Sequence, residues 1–313
     1  MADFVIIPDA SSDLTRDLRE RFNIPDYLKG VIYYPDGREA VADLDWELFD
    51  PITYYNSMSG RKTLYKTASA PRGHVEEVYE KYLKAGKDIL AVTLSSALSG
   101  TNQVCRKVAE ELMEKYPERK IVVIDSLRYS TALSLLVVKA SQKQKEGATL
   151  EETAQYLESI KHRIHQIGPM DDMFFLVKTG RVSNFKAFFG ALIGINPMAD
   201  FNRKGLSQVL GKFKGKQRAF DAVIEYMRGT VENPEEQIIF VAHSNREQAA
   251  QVLAQRVKET FKPKEVIINH VGMSCGASVG PGLCAVFFEG REISENMEYE
   301  QALMNKIIEE QKK

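Results

Sequence analysis

Hydroxyl side chains that directly follow a buried strand are the groups of this chain best placed to do chemistry. They occur in the run Ser95-Ser96-Ala97-Leu98-Ser99-Gly100-Thr101, after the apolar residues 89–92 and before a helical pattern. At the carboxyl end of a parallel strand, unpaired backbone N–H groups and the dipole of the next helix favour a negative group. The hydroxyls add side-chain donors. The spacing predicts a polar pocket for an anion, with helix capping by Ser99 or Thr101 as the alternative.

Ser96 could instead act as a nucleophile, which needs a base in reach and a third group that orients the base. Sequence patterning puts His162 and His165 on a charged helix and His243 and His270 at strand ends. A hydrolase or transferase using Ser96 on a small anionic substrate is therefore the alternative to a binding protein, and the sequence assigns no catalytic residue.

Three acidic residues also follow predicted strands: Asp9, Asp13 and Asp125. They could form a metal cluster if the strand ends converge. The other interpretations are an N-cap for Asp13 and a strand-end hydrogen bond for Asp125. The sequence favours these structural roles and predicts no metal site.

The predicted strands and helices around these residues indicate an α/β fold with two domains. Predicted strands at Phe4–Pro8, near residues 89–94 and at Ile121–Asp125 each run into Asp or Ser and then a helix, which indicates a doubly wound, mainly parallel sheet in residues 1–165. Residues 166–313 predict a mixed α/β domain. Its elements include a strand over Met173–Lys178, an apolar helix over Phe185–Ile193 and a glycine-rich connection between strands over residues 276–282.

Composition and patterning exclude several classes of function. Lys and Arg total 42 and Asp and Glu total 43, so the formal net charge of −1 provides no field that attracts nucleic acid. No apolar run approaches the ~20 residues that span a bilayer, and the start MADFVIIPD lacks the basic and long apolar regions of a secretory signal. The three cysteines lie in no metal-like spacing. We expect a cytoplasmic protein without a cofactor, a nucleic-acid partner or stable membrane insertion.

Several motifs, in order from about residue 4 to residue 290, resemble those of the DegV family, whose better studied members are fatty-acid-binding subunits of bacterial fatty acid kinase. The opening PDASSDL is similar to the family's D-S-T-x-D-L start, residues 95–101 to S-S-x-L-S-G-T, and residues 123–126 to V-I-D-S. Residues 176–182 resemble L-K-x-G-R-I, residues 193–198 resemble I-x-I-K-P-I, and residues 276–282 resemble G-x-H-x-G-P-G.

The resemblance implies a two-domain protein that holds one long-chain fatty acid in an apolar tunnel between the domains and presents its carboxylate to a kinase subunit. The implied carboxylate-binding residues are Thr67, Ser95, Ser96 and Ser278. The tunnel would be lined by Phe185, Phe188, Phe189, Leu192 and Ile193, for which ordinary core packing is the alternative. Arg181 and Arg218 would contact the partner or a phosphate. For the basic residues around Arg218, the alternative is an edge strand whose charged side chains are solvated.

Two positions depart from the family pattern. Ser278 stands where the family has a histidine near the head group, and Asn196 stands where it has a lysine. Because an imidazole and a hydroxyl differ in reach and charge, binding is better supported than a part in phosphorylation.

Overall fold

The computed structural model describes residues 4–47, 49–182 and 195–312. In these ranges the strands are β1 Phe4–Pro8, β2 Gly30–Tyr33, β3 Glu39–Ala42, β4 Lys66–Ala68, β5 Asp88–Thr93, β6 Ile121–Asp125, β7 Ile164–Pro169, β8 Ile195–Phe201, β9 Ser207–Lys214, β10 Ile238–His243, β11 Glu265–His270 and β12 Cys284–Glu289. The α-helices are α1 Arg16–Arg21, α2 Pro51–Met58, α3 Arg72–Lys84, α4 Thr101–Lys115, α5 Thr131–Lys145, α6 Leu150–Ile160, α7 Phe174–Thr179, α8 Lys216–Thr230, α9 Glu247–Phe261, α10 Met273–Val279 and α11 Glu298–Glu310.

The chain forms two compact units, each assembled from separate stretches of sequence. Unit 1 consists of Met1–Asp50, Leu64–Lys161 and Gly272–Cys275, and unit 2 of Pro51–Thr63, His162–Val271 and Gly276–Lys313. The predicted domains are continuous in sequence, and their division between residues 165 and 166 stays a prediction. Of the helices in the described ranges, none combines the length and apolar character needed to cross a bilayer.

Unit 1 contains a parallel sheet in the order β1-β5-β6. Val5 and Ile7 of β1 and Ile89 and Ala91 of β5 pack with the apolar sides of α3 and α4. Helix α5 contacts β1 and β5, and α6 contacts β5 and β6. The prediction of a doubly wound α/β sheet is confirmed. A small antiparallel sheet in the order β3-β2-β4 completes the unit.

Unit 2 contains a six-stranded mixed sheet in the order β11-β10-β12-β7-β8-β9. Only β10 and β11 pair in parallel among the registers of this sheet, and the other pairs are antiparallel. Apolar residues of α8, α9 and α11 form one core cluster with the inner residues of β10 and β12. The predicted mixed α/β character of this part of the chain is therefore confirmed.

The predicted strand over Met173–Lys178 is wrong, because these residues form most of α7. The N-cap of α7 is Met173, and the preceding Asp172 accepts a hydrogen bond at Oδ1 from the Phe174 N–H at 2.8 Å, which satisfies one N–H of the first turn. Gly180 ends the helix in the left-handed conformation at φ 73°. A run of six mostly apolar residues fits either structure, and the residues at its two ends favour the helix.

The predicted helical position of His165 is also wrong. Helix α6 ends at Ile160, and His165 lies in β7, fully buried and stacked on Phe288 with ring centroids 5.3 Å apart. Residues 273–279 form the short helix α10 rather than a simple turn between strands, although Gly280 and Gly282 do take the expected positive φ.

Candidate functional site

The loop after β5 uses its own backbone N–H groups internally. Every N–H from Leu94 to Ser99 donates a hydrogen bond within unit 1. The acceptors, in order, are Asp9 Oδ2 at 2.7 Å, Arg128 O at 3.0 Å, Asp125 Oδ1 at 3.1 Å, Ser95 Oγ at 3.3 Å, and Ser95 O at 3.0 and 3.2 Å. The expectation that unpaired N–H groups bind an anion here is wrong for these six residues. Within residues 94–99, the Ser96 hydroxyl remains available as a donor.

Ser95 and Ser96 are adjacent but differ in what their hydroxyls can do. Ser95 is fully buried, and its Oγ accepts from the Ala97 N–H. Ser96 is exposed, and its Oγ has no hydrogen-bond partner among the residues that the structure describes. Ser96 can therefore donate to an incoming group without breaking an existing bond, whereas Ser95 mainly shapes the loop.

Thr67 lies on β4 of the small sheet in unit 1, paired with Ile32 of β2. Its side chain is half-buried, and within the described ranges its hydroxyl makes no hydrogen bond. Like Ser96, it is a donor that no described residue uses.

Ser278 lies on α10 and is only 6% exposed. Its hydroxyl too lacks a hydrogen-bond partner in the described part of the chain. In unit 2 this helix is packed closely against α2, since a methyl group at Gly276 would lie 2.6 Å from the Tyr55 hydroxyl. The Ser278 hydroxyl is therefore available to a ligand, as those of Thr67 and Ser96 are.

The three acidic residues at the strand ends hold loops in place. Asp9 and Asp125 accept from the loop after β5, as above. Asp13 is not the N-cap of α1, which is Thr15, so that prediction is wrong. Its carboxylate instead accepts from the hydroxyls of Ser130 and Thr131 and from the Gly272 N–H.

Burial raises the pKa of Asp13 to about 7, against the lowering effect of these hydrogen bonds, and burial also raises the pKa of Asp9. Across the described ranges, no group of three or more His, Cys, Asp or Glu side chains is arranged to hold a metal ion. These carboxylates are thus placed as internal acceptors.

Arg181 and Arg218 lie at opposite ends of β9. Val182 forms a bridge with Ser207, the first residue of β9, and Arg218 follows its last residue, Lys214. The eight residues of β9, at ~3.3 Å each, separate the two ends by roughly 25 Å. Arg181 donates to the Thr179 carbonyl, while Arg218 is exposed. The two arginines therefore do not form one anion site.

The predicted tunnel residues lie outside the described residues: Phe185, Phe188, Phe189, Leu192 and Ile193. Their role stays a prediction.

His243 and His270 end the neighbouring strands β10 and β11, as predicted, and their ring centroids are 4.2 Å apart. The Nδ1 atom of His243 accepts from the Arg246 N–H at 3.2 Å. Burial, and secondarily the charge of His270, lowers the pKa of His243 from 6.5 to about 4. His243 is therefore neutral at physiological pH.

The replacement His243→Gln should remove a loss of stability in acid. Because the pKa of His243 is near 4 in the folded protein and near 6.5 when unfolded, its contribution is fully present above pH 6.5 and is lost as pH falls toward 4. Gln keeps an acceptor for the Arg246 N–H but does not titrate. Between pH 7.5 and pH 4.5, thermal melts should show the wild type losing at least about 2 °C more than the variant.

Asp13 affects stability in the opposite direction, because its raised pKa makes the folded state more stable as the pH falls. This effect is the same in the wild type and in His243→Gln, so it cancels when their melting temperatures are compared. A difference in melting temperature that does not change with pH would contradict this assignment for His243.

Comparison with known proteins relates this chain to one family over nearly its whole length. The sequence profile described as "Uncharacterised protein, DegV family" matches residues 3–291. A DegV domain-containing protein of Clostridium perfringens is 32% identical over 290 residues, covering 93% of this chain and 98% of that protein.

Solved structures of DegV proteins have a fold similar to that of this chain. A DegV lipid-binding protein from Thermotoga maritima superposes with a TM-score of 0.80 at 25% identity, covering 93% of this chain and 99% of that one. The Streptococcus pneumoniae Fatty Acid Kinase B3 protein, loaded with linoleic acid, superposes with a TM-score of 0.77 at 22% identity, covering 92% and 99%. The arrangement of a parallel and a mixed sheet described above is similar to the arrangement in these proteins.

Proposed function

The chain belongs to the DegV family, and on that premise we propose that it binds one long-chain fatty acid and presents the carboxylate to a separate kinase subunit. The observation that carries the proposal is the set of hydroxyls at the predicted positions that no described residue uses, those of Thr67, Ser96 and Ser278. Solved relatives described as lipid-binding and as loaded with linoleic acid support the ligand class.

In the proposed complex, hydroxyl groups donate to the carboxylate oxygens. Thr67 and Ser96 are the donors of unit 1, and Ser278 takes the place that the family histidine has. Ser95 supports the loop from within. Each hydrogen bond to a charged oxygen contributes roughly 1.5–3 kcal/mol, so a few of them fix the orientation of the head group.

The acyl chain supplies most of the gross binding energy. A saturated chain has no hydrogen-bonding groups, and burying it gains roughly 0.8 kcal/mol per CH₂, or on the order of 10 kcal/mol for ~16 carbons before ordering and association costs. The tunnel implied between the domains, with its five predicted apolar residues, is part of this proposal.

The kinase partner, a cytoplasmic location and the roles of Arg181 and Arg218 are likewise part of the proposal. Because Arg181 and Arg218 lie at opposite ends of β9, they would contact different parts of a partner. With a hydroxyl at position 278, this chain holds the carboxylate for chemistry that the partner performs, and needs no catalytic residue of its own.

An enzyme that uses Ser96 as a nucleophile has less support. A nucleophilic serine requires a hydrogen-bonded base, and within the described residues the Ser96 hydroxyl contacts neither a histidine nor a carboxylate. Turnover of an ester or thioester by the purified chain, lost in Ser96→Ala, would favour this alternative.

The proposal is tested by titrating the delipidated full-length protein with oleate. We expect saturable uptake at one oleate per chain and no comparable uptake of a short acid such as butyrate, which lacks the apolar surface. Absence of saturable oleate uptake would overturn the proposal.

A further inference from the structure

A second hydroxyl on α10 lies in unit 1 and has the same property as the predicted ligand contacts. Ser274 is half-buried on this helix, one turn before Ser278. Residues four apart on a helix lie on the same face. As far as the described ranges show, the Ser274 hydroxyl makes no hydrogen bond. It is thus another donor that the fold leaves unused.

The small sheet shows where this hydroxyl points. A methyl group at Gly30 of β2 would lie 3.8 Å from Ser274 Oγ and 3.9 Å from Ala42 Cβ of β3. Gly30 pairs with Ala42, so both side-chain positions are on one face of the sheet. The Ser274 hydroxyl lies over that face, close to the position where Gly30 has no side chain.

Thr67 belongs to the same face. It pairs with Ile32, two residues after Gly30 on β2, and side chains two apart on a strand point to the same side. Thr67 is thus a diagonal neighbour of Gly30 across the β2–β4 pair, and the side-chain positions of such neighbours lie roughly 7–8 Å apart. The hydroxyls of Thr67 and Ser274, which no described residue uses, therefore lie over the same face of the small sheet.

We propose that Ser274 is a further head-group contact, which donates to the same acyl carboxylate as Thr67. This inference rests on the proposed function and extends it. Neither Thr67, Ser96 nor Ser274 carries a charge, so these residues recognise the carboxylate by hydrogen-bond donation alone. Gly30 has a part in this arrangement, since any side chain there would enter the space that the head group needs.

The test compares oleate binding by delipidated wild-type protein, Ser274→Ala and a control, Ser159→Ala. The control removes a helical serine hydroxyl of unit 1 that bonds to the carbonyl of Tyr156 on its own helix. We expect Ser274→Ala to weaken oleate binding about tenfold or more, and Ser159→Ala to change it less than twofold. Binding of oleyl alcohol by Ser274→Ala should fall less, about threefold, because a hydrogen bond to an uncharged oxygen is weaker.

An isosteric pair separates the hydroxyl from packing on the helix. Ser274→Thr keeps the hydroxyl and Ser274→Val replaces it with a methyl group of similar size. Tight oleate binding by the Thr variant and weak binding by the Val variant would support the inference. If wild-type protein binds oleate and Ser274→Ala binds it equally well, the inference is overturned while the proposed function stands. If wild-type protein does not bind oleate, both are overturned.

Discussion

Replacing Thr67 and Ser96 together by alanine should weaken oleate binding by about a hundredfold or more. Each hydroxyl would lose one hydrogen bond to a charged oxygen, worth roughly 1.5–3 kcal/mol, and the two losses add to at least about 3 kcal/mol. Neither hydroxyl bonds to another described residue, so their removal leaves no protein group without its partner. The melting temperature of the lipid-free double variant should therefore stay within about 2 °C of the wild type.

The affinity is measured by titrating delipidated protein with oleate, and the melting temperature by circular dichroism. A matched control is the double variant Ser159→Ala with Thr260→Ala, which removes one serine and one threonine hydroxyl from helices α6 and α9. It should bind oleate as the wild type does. If the variant with both Thr67 and Ser96 replaced bound oleate as tightly as the wild type, the head group would have to bind at another part of the chain.

Replacing Asp200 by alanine should destabilise the protein by about 3–5 kcal/mol. The Asp200 carboxylate is fully buried in unit 2 and accepts at least four hydrogen bonds. The donors include the Gln166 N–H at 2.9 Å, the Phe201 N–H at 2.7 Å, the Tyr226 hydroxyl at 3.0 Å and His165 Nδ1 at 2.7 Å. Without Asp200, these buried donors would lose their acceptor, at a cost of roughly 1–3 kcal/mol for each one left unsatisfied.

Urea unfolding of the lipid-free protein, followed by far-ultraviolet circular dichroism, measures this effect. The control is Asp36→Ala, which removes an exposed carboxylate paired with Arg38 and should cost less than about 1 kcal/mol. If Asp200→Ala cost no more than Asp36→Ala, the buried network would not hold unit 2 together as its hydrogen bonds indicate.

Elements with one clear pattern could be predicted from the sequence to the residue. The bounds of β1 and β6 coincide with those predicted, because each is a short apolar run that ends at a polar residue or proline. Helix α7 was not predicted, because its apolar run is ambiguous and the helix depends on the residues at its two ends, Asp172 and Gly180.

The candidate site was predicted in part. The motifs single out Thr67, Ser96 and Ser278, whose hydroxyls no described residue uses, and their contact with a ligand stays a prediction. The sequence could not show that the N–H groups of the loop after β5 already have hydrogen-bond acceptors, because two of these acceptors, Asp9 and Asp125, lie 85 and 29 residues from their donors. Ser274 was missed for a similar reason. Its significance comes from Gly30, which is far from it in sequence and close to it in the fold.

Native mass spectrometry of the purified full-length protein tests whether this chain carries a fatty acid, with the bound species identified after denaturation and extraction into organic solvent. We expect one long-chain fatty acid per chain, either retained from the expression host or taken up on addition of palmitate or oleate. Protein that has the mass of the polypeptide alone, and keeps that mass after incubation with palmitate and with oleate, would rule out the proposed function.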